Sequence, residues 1–155
     1  QLDRFMLAVH VDYPDLEDEI EIVRRTTMAA LPDVTPVLDR AGVLRIQALV
    51  RQVPVADHLL RAAVELVRKT RPDDPACPPL LRPLISFGAS PRASQALILG
   101  AKALAVIDGR VTVGAEDIRR MASPVLAHRV APSFRAESEG LSARALVERI
   151  VAHGN

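Results

Sequence analysis

The 155-residue chain contains no Trp, and aromatic residues make up only 3% of it. Any core must therefore come from Ala, Leu, Val and Ile, side chains that let helix backbones approach closely. There is a single cysteine, Cys77, which excludes an internal disulfide and fits a reducing cytoplasm as the expected location. Pro75, Pro78 and Pro79 surround it, so it reads as a passive loop residue rather than a nucleophile. An excess of one charge is lacking too: 20 basic and 19 acidic residues leave a net charge of +1. Such balance gives no electrostatic footprint for nucleic acid or for an anionic membrane. No apolar run reaches the ~18–20 residues that span a bilayer. No signal-peptide pattern is visible, and the chain opens on Gln1 rather than Met, so a fragment of a longer protein is expected.

What is present is an apolar fraction of 49%, enough for one domain, or for one domain plus the remnant of another. Residues 5–13 form a short apolar, β-branched run closed by Pro14, the pattern of a strand. No second clear strand follows, so its sheet would lie in a domain upstream. Beyond Pro14 the pattern turns helical. Asp15, Glu17, Asp18 and Glu19 crowd one end and Arg24 and Arg25 the other, which complements the helix dipole, with Leu16, Ile20 and Val23 as the stripe to be buried. The dipole accounts for these carboxylates without a metal or acid–base role. Residues 28–41, punctuated by Pro32 and Pro36, read as loop, and residues 42–53 as a short helix. Residues 57–71 form a cleaner helix on Leu59, Leu60, Ala63, Val64 and Val67. His58 near its start has no second His or Cys at ligand spacing and reads as a surface residue.

Residues 71–89 carry five prolines and end at Gly88, a connector that delivers the chain to the next helix. That helix spans residues 91–107 and is the best candidate for the centre of the domain. Ser90 suits its N-cap, Pro91 its first position, and Arg92 falls in its first turn. A first-turn cation opposes the macrodipole. Arg92 is therefore either a solvated surface residue or a group placed to meet an anion. Val111, Thr112 and Val113 suggest a short extended piece. A helix begins at about Gly114 and holds Ile118, Met121, Val125 and Leu126 inward, with Pro124 predicting a kink or a break. Residues 128–140 read as irregular, and Ser142 caps a last helix with Leu146, Ile150 and Val151 on its apolar side.

Four motifs in this order resemble the C-terminal part of a MoxR-type AAA+ ATPase. Gln1-Leu2-Asp3-Arg4-Phe5 is similar to the end of that family's LPEAQLDRF signature. Val11-Asp12-Tyr13-Pro14 before an acidic helix resembles its VxYP boundary between core and lid. Thr70-Arg71 with Gly88-Ala89-Ser90-Pro91-Arg92-Ala93 resembles its TR…GASPRA pair. The stretch from Val113 through Glu116-Asp117-Ile118 to Val125-Leu126-Ala127-His128-Arg129 is similar to its VTPEDV…VLRHR. One departure is Gly114-Ala115 in place of Thr-Pro, which weakens a helix cap. A larger one is that the phosphate loop, the Mg-binding acidic motif and the first sensor lie upstream in the family and are not in this sequence.

The resemblance implies an all-α fold: a small helical bundle of about five to six helices, the AAA+ lid, over residues 14–155. Residues 1–13 are then the C-terminal remnant of the ATPase core, carrying the strand. It implies ATP with Mg²⁺ as the nucleotide of the full-length protein. Arg92 matches the second sensor arginine, facing the γ-phosphate in its own subunit, and Arg4 the arginine finger for the neighbouring one. Arg71 is a further candidate for approach to the nucleotide, and Asp3 orients Arg4 or caps locally. Arginine suits these tasks because its planar fork takes phosphate at two points and stays charged. The implied partners are the chain's own upstream core, neighbouring subunits of a homo-oligomeric ring, and a client protein that a chaperone-like machine assembles or activates. No nucleic acid and no membrane insertion are expected, and the fragment alone should not hydrolyse ATP. His128 and Arg129 receive no role. A helical adaptor that docks partner proteins is the alternative, and helix-turn-helix DNA binding is disfavoured by the balanced charge.

Overall fold

The computed structural model describes residues 1–28 and 34–153. Among them are seven α-helices and two very short strands: α1 (Leu16–Thr26), α2 (Arg40–Gln52), α3 (Asp57–Arg68), β1 (Ile85–Phe87), α4 (Pro91–Ile107), α5 (Ala115–Leu126), β2 (Ala131–Pro132), α6 (Phe134–Ser138) and α7 (Ala143–Ala152). The fold is a helical bundle, as the sequence pattern predicts. Its axis is α4, which packs on α2, α3 and α5, while α7 packs on α5. Ala93, Ala96, Gly100, Ala101 and Ala105 line the buried side of α4. These small residues let α5 come close: a Cβ at Gly100 would stand 2.5 Å from Met121 Cε. Leu97, Leu126, Leu146 and Ile150 supply the large side chains of the core.

The helix starts follow from local capping chemistry. Side-chain oxygens of Asp15, Asp39, Ser90, Ser133 and Ser142 each accept a backbone N–H of the first turn. At α5, Gly114 has no side chain to offer. Asp117 instead reaches back to accept from Gly114 N at 2.7 Å, while Arg110 holds the same carboxylate through both Nη atoms at 2.6 and 2.8 Å. Pro124 sits in the last turn of α5 and does not break it.

Other expectations are revised. Residues 7–15 carry no regular element, and a 3₁₀ turn covers Leu2–Arg4. The expected N-terminal strand has no ladder partner among the described residues; its Ala8 N donates instead to Pro124 O at 2.9 Å. The stripe of α1 is not buried: Leu16, Ile20 and Val23 are all exposed. An amphipathic stripe is buried only where a second surface meets it, and α1 buries no residue here. On α3, Leu59, Ala63 and Val67 face the core, but Leu60 and Val64 do not. The proline-rich connector contains a 3₁₀ turn (Arg82–Leu84) and β1, which pairs antiparallel with β2. Residues 128–140 are correspondingly more ordered than their composition suggests. Ser133 both caps α6 and donates to Pro83 O at 2.8 Å. Residues 111–113 form no strand. Of the proline-marked loop before α2, Pro36 lies in irregular chain and Pro32 lies outside the described residues.

Candidate functional site

The connector and the start of α4 are locked together by the Thr70-Arg71 and Gly88-Ala89 pairs. Thr70 Oγ1 donates to Val67 O at 2.6 Å, ending α3, and accepts from Ala89 N at 2.9 Å. Arg71 Nε donates to Ala89 O at 2.9 Å. Both backbone groups of Ala89 are thereby satisfied from the end of α3, in a place where Thr70 and Ala89 are buried. Gly88 is required by the closeness of this approach, since a Cβ there would meet Thr70 O at 2.4 Å. The spacing of the two motifs therefore fixes where α4 begins.

From that start Ser90 Oγ accepts from Arg92 N at 3.2 Å and donates to the Asp3 carboxylate, 2.9 and 3.0 Å from its two oxygens. Arg92 Nη1 lies 3.5 Å from Asp3 Oδ2, and its side chain is 60% exposed. Arg129 completes the group. Its side chain is 2% exposed, and its Nε donates to Asp3 Oδ1 at 3.2 Å. Its Nη atoms donate to the carbonyls of Asp3, Phe5, Met6 and Val125. Next to it His128 Nε2 meets Phe5 O at 3.1 Å, while His128 Nδ1 is buried without a partner among the described residues. Asp3 is thus the hub. Burial raises its carboxyl pKa, but hydrogen bonds from Ser90 and Arg129 and the charges of Arg129 and Arg92 outweigh that and hold it below the ordinary value.

Of the sequence-predicted residues, the structure brings Asp3 and Arg92 together. Asp3 contacts Ser90, Arg92 and Arg129 rather than the Arg4 side chain. Arg4 is exposed, with no side-chain hydrogen bond or ion pair among the described residues. Arg71 serves the connector and borders a shallow depression with Pro72, Asp73 and Gly88. Cys77 is buried, and burial pushes its thiol pKa up, which agrees with a passive residue. No group of three or more His, Cys, Asp and Glu converges among the described residues. Ser90 as a two-way link and Arg129 as a buried clamp carry no sequence signal of their own; only the resemblance to VLRHR marks Arg129 at all.

Residues 80–150 match the family model of the AAA lid domain. The bundle around α4, with an arginine at the serine-capped start of that helix, makes this region an AAA lid. Over 97% of its length the chain is 30% identical to Chaperone MoxR1 of Mycobacterium tuberculosis, covering 40% of that protein. It is 30% identical over 98% of its length to the uncharacterized protein YeaC of Bacillus subtilis, covering 45% of it. It superposes on the crystal structure of a candidate ATPase from Cytophaga hutchinsonii with a TM-score of 0.89 and 34% identity, over 97% of this chain and 46% of that one. Residues 80–150 are thus an AAA lid domain, and the chain as a whole resembles the matching part of MoxR-type AAA+ proteins. It spans less than half the length of these relatives.

Proposed function

We propose that this chain supplies the lid-side arginines of an ATP-hydrolysing subunit that works in a homo-oligomeric ring. Arg92 reaches the γ-phosphate of the nucleotide in its own subunit, and Arg4 completes the site of the neighbouring one. Residues 1–13 are the end of the ATPase core and residues 14–155 the lid. The observation that carries this reading is the state of Arg92. It stands in the first turn of a long helix, exposed, held by one ion pair of 3.5 Å. An exposed pair of that length is weak. The helix N-terminus and the guanidinium attract an anion in the same direction. A phosphate that offers two acceptor oxygens therefore competes well against Asp3 for Arg92. The side chain of Arg4, exposed and unpaired among the described residues, supports the second role.

These two arginines suit a polyphosphate. Magnesium ligands would come from the core, as would the phosphate loop. Bound ATP with Mg²⁺ supplies the γ-phosphoryl group whose charge must be neutralised as it transfers, and positioned arginines do this at no reorganisation cost. Arg71, bonded to Ala89 O, sets the start of α4 and faces the nucleotide from the connector. The machine acts in the cytoplasm as a chaperone-like factor that assembles or activates a client protein. The test is an ATPase assay on the full-length protein carrying Arg92→Ala. Turnover is expected to fall by at least ~10-fold. Unchanged turnover together with unchanged ATP-dependent assembly would sink the sensor role.

The exposed apolar side chains of α1 and α2, among them Leu16, Ile20, Leu44 and Leu49, favour one other reading, an adaptor that docks a partner helix. Partner capture that ignores both nucleotide and Arg92→Ala would support it.

A further inference from the structure

We infer that Arg129 is a positioning residue that fixes Arg4 and Arg92 relative to each other; this rests on the roles proposed for those two arginines. A guanidinium has five N–H donors. Arg129 spends all of them: Nε on the Asp3 carboxylate, Nη1 on Met6 O and Val125 O, and Nη2 on Asp3 O and Phe5 O. Being buried and saturated, it has nothing left to offer a phosphate and acts only through what it holds.

What it holds is the backbone on both sides of Arg4. The carbonyls of Asp3, Phe5 and Met6 converge on it, His128 adds a contact to Phe5 O, and Ala8 N is tied to Pro124 O. The end of α5 and the turn that follows it thus grip residues 3–8 and leave the Arg4 side chain in solvent. The second branch runs through Asp3. Its carboxylate, fixed by Arg129 Nε, takes the Ser90 hydroxyl at the cap of α4 and the Arg92 guanidinium. One buried cation therefore sets the register of the turn bearing Arg4 and, one link on, the start of the helix bearing Arg92. Lysine cannot replace it: three donors on a flexible stem do not reach five acceptors spread around a plane.

The experiment is a set of double-mutant cycles in the full-length protein. Arg129→Lys is expected to lower kcat roughly 10²-fold, as a displacement of about 1 Å does elsewhere, with the KM for ATP within about threefold. Combined with Arg4→Ala it should lose clearly less than the product of the two single losses, because the two changes share the contribution that runs through Arg4. Amide exchange should rise across residues 2–8 and in the first turn of α4, and stay unchanged in α7. If the two losses multiply instead, or if Arg129→Lys leaves kcat unchanged while Arg4→Ala lowers it, the positioning role is overturned and the finger role stands. If Arg4→Ala alone leaves turnover unchanged, the finger role fails and the positioning role with it. Should Arg129→Lys not fold, Asp3→Asn carries the test. It keeps the backbone acceptors and one side-chain acceptor but removes the charge that pairs with Arg92 and Arg129, so its loss must be non-additive with Arg92→Ala; additive losses overturn the inference.

Discussion

Replacing Gly88 by Ala probes the junction on which the placement of Arg92 depends. The added methyl would stand 2.4 Å from Thr70 O, 2.6 Å from Thr70 C and 2.7 Å from Arg71 Cα. All three are backbone atoms at the end of α3, so no side-chain rotation relieves the overlap, and one strand of chain must move by roughly 1 Å to regain contact distance. Overpacking of this kind costs about 1–3 kcal/mol. The shift also breaks or stretches the bonds from Ala89 N to Thr70 Oγ1 and from Arg71 Nε to Ala89 O, both 2.9 Å. The first leaves a buried N–H unpaired, at about 1–3 kcal/mol. Together these give about 2–6 kcal/mol, a large part of the roughly 5–15 kcal/mol that holds a domain folded. At about 2–4 °C per kcal/mol for a chain of this size, the midpoint should drop by roughly 4–24 °C. Thermal unfolding followed by far-UV circular dichroism measures it, with Ser86→Ala, at an exposed neighbouring position, as the control expected to stay near wild type. A Gly88→Ala midpoint within about 1 °C of wild type would refute the argument, because the junction would then tolerate the very contact said to be forbidden.

Two further outcomes follow from the ion pairs. Asp117→Asn removes the carboxylate that takes both Nη atoms of Arg110 and the N–H of Gly114, and that side chain is only 3% exposed. Arg110 is 40% exposed and can recover water, so the loss should be about 2 kcal/mol rather than that of a fully buried pair, read from the urea midpoint at constant slope. The pKa values of Asp3 and Asp117 are both held below the ordinary 3.8: at Asp3 burial works the other way but is outweighed by Ser90, Arg129 and Arg92, and at Asp117 the Arg110 hydrogen bonds dominate. The unfolded chain therefore takes up protons first as the pH falls. The stability these groups contribute is complete above 3.8 and is lost as the pH drops through their folded values, so a urea midpoint level from about pH 7 to 5 should fall steeply below about pH 4. Asp117→Asn should flatten that fall.

Much of the bundle was legible residue by residue. Ser90, Pro91 and Ser142 announced helix starts because capping is a short-range affair of one oxygen and an amide two or three residues on. The inward positions of α5 followed from helical spacing. The stripe of α1 misled, since periodicity says that a face is apolar but not that anything covers it. The small sheet and α6 escaped notice because their order comes from Ser133 bonding across to Pro83 and Leu84, not from their own composition.

The sequence by itself determined where the helices start, which residues could build an aliphatic core without Trp, and which arginine would stand at the head of the central helix. Only the tertiary structure decided what surrounds that arginine. Asp3 and Arg129 are 126 positions apart, and no local pattern couples residues at that distance. Their pairing exists because α5 ends where the N-terminal turn crosses it. A guanidinium buried there must satisfy all its donors, and the carbonyls of that turn are the acceptors within reach.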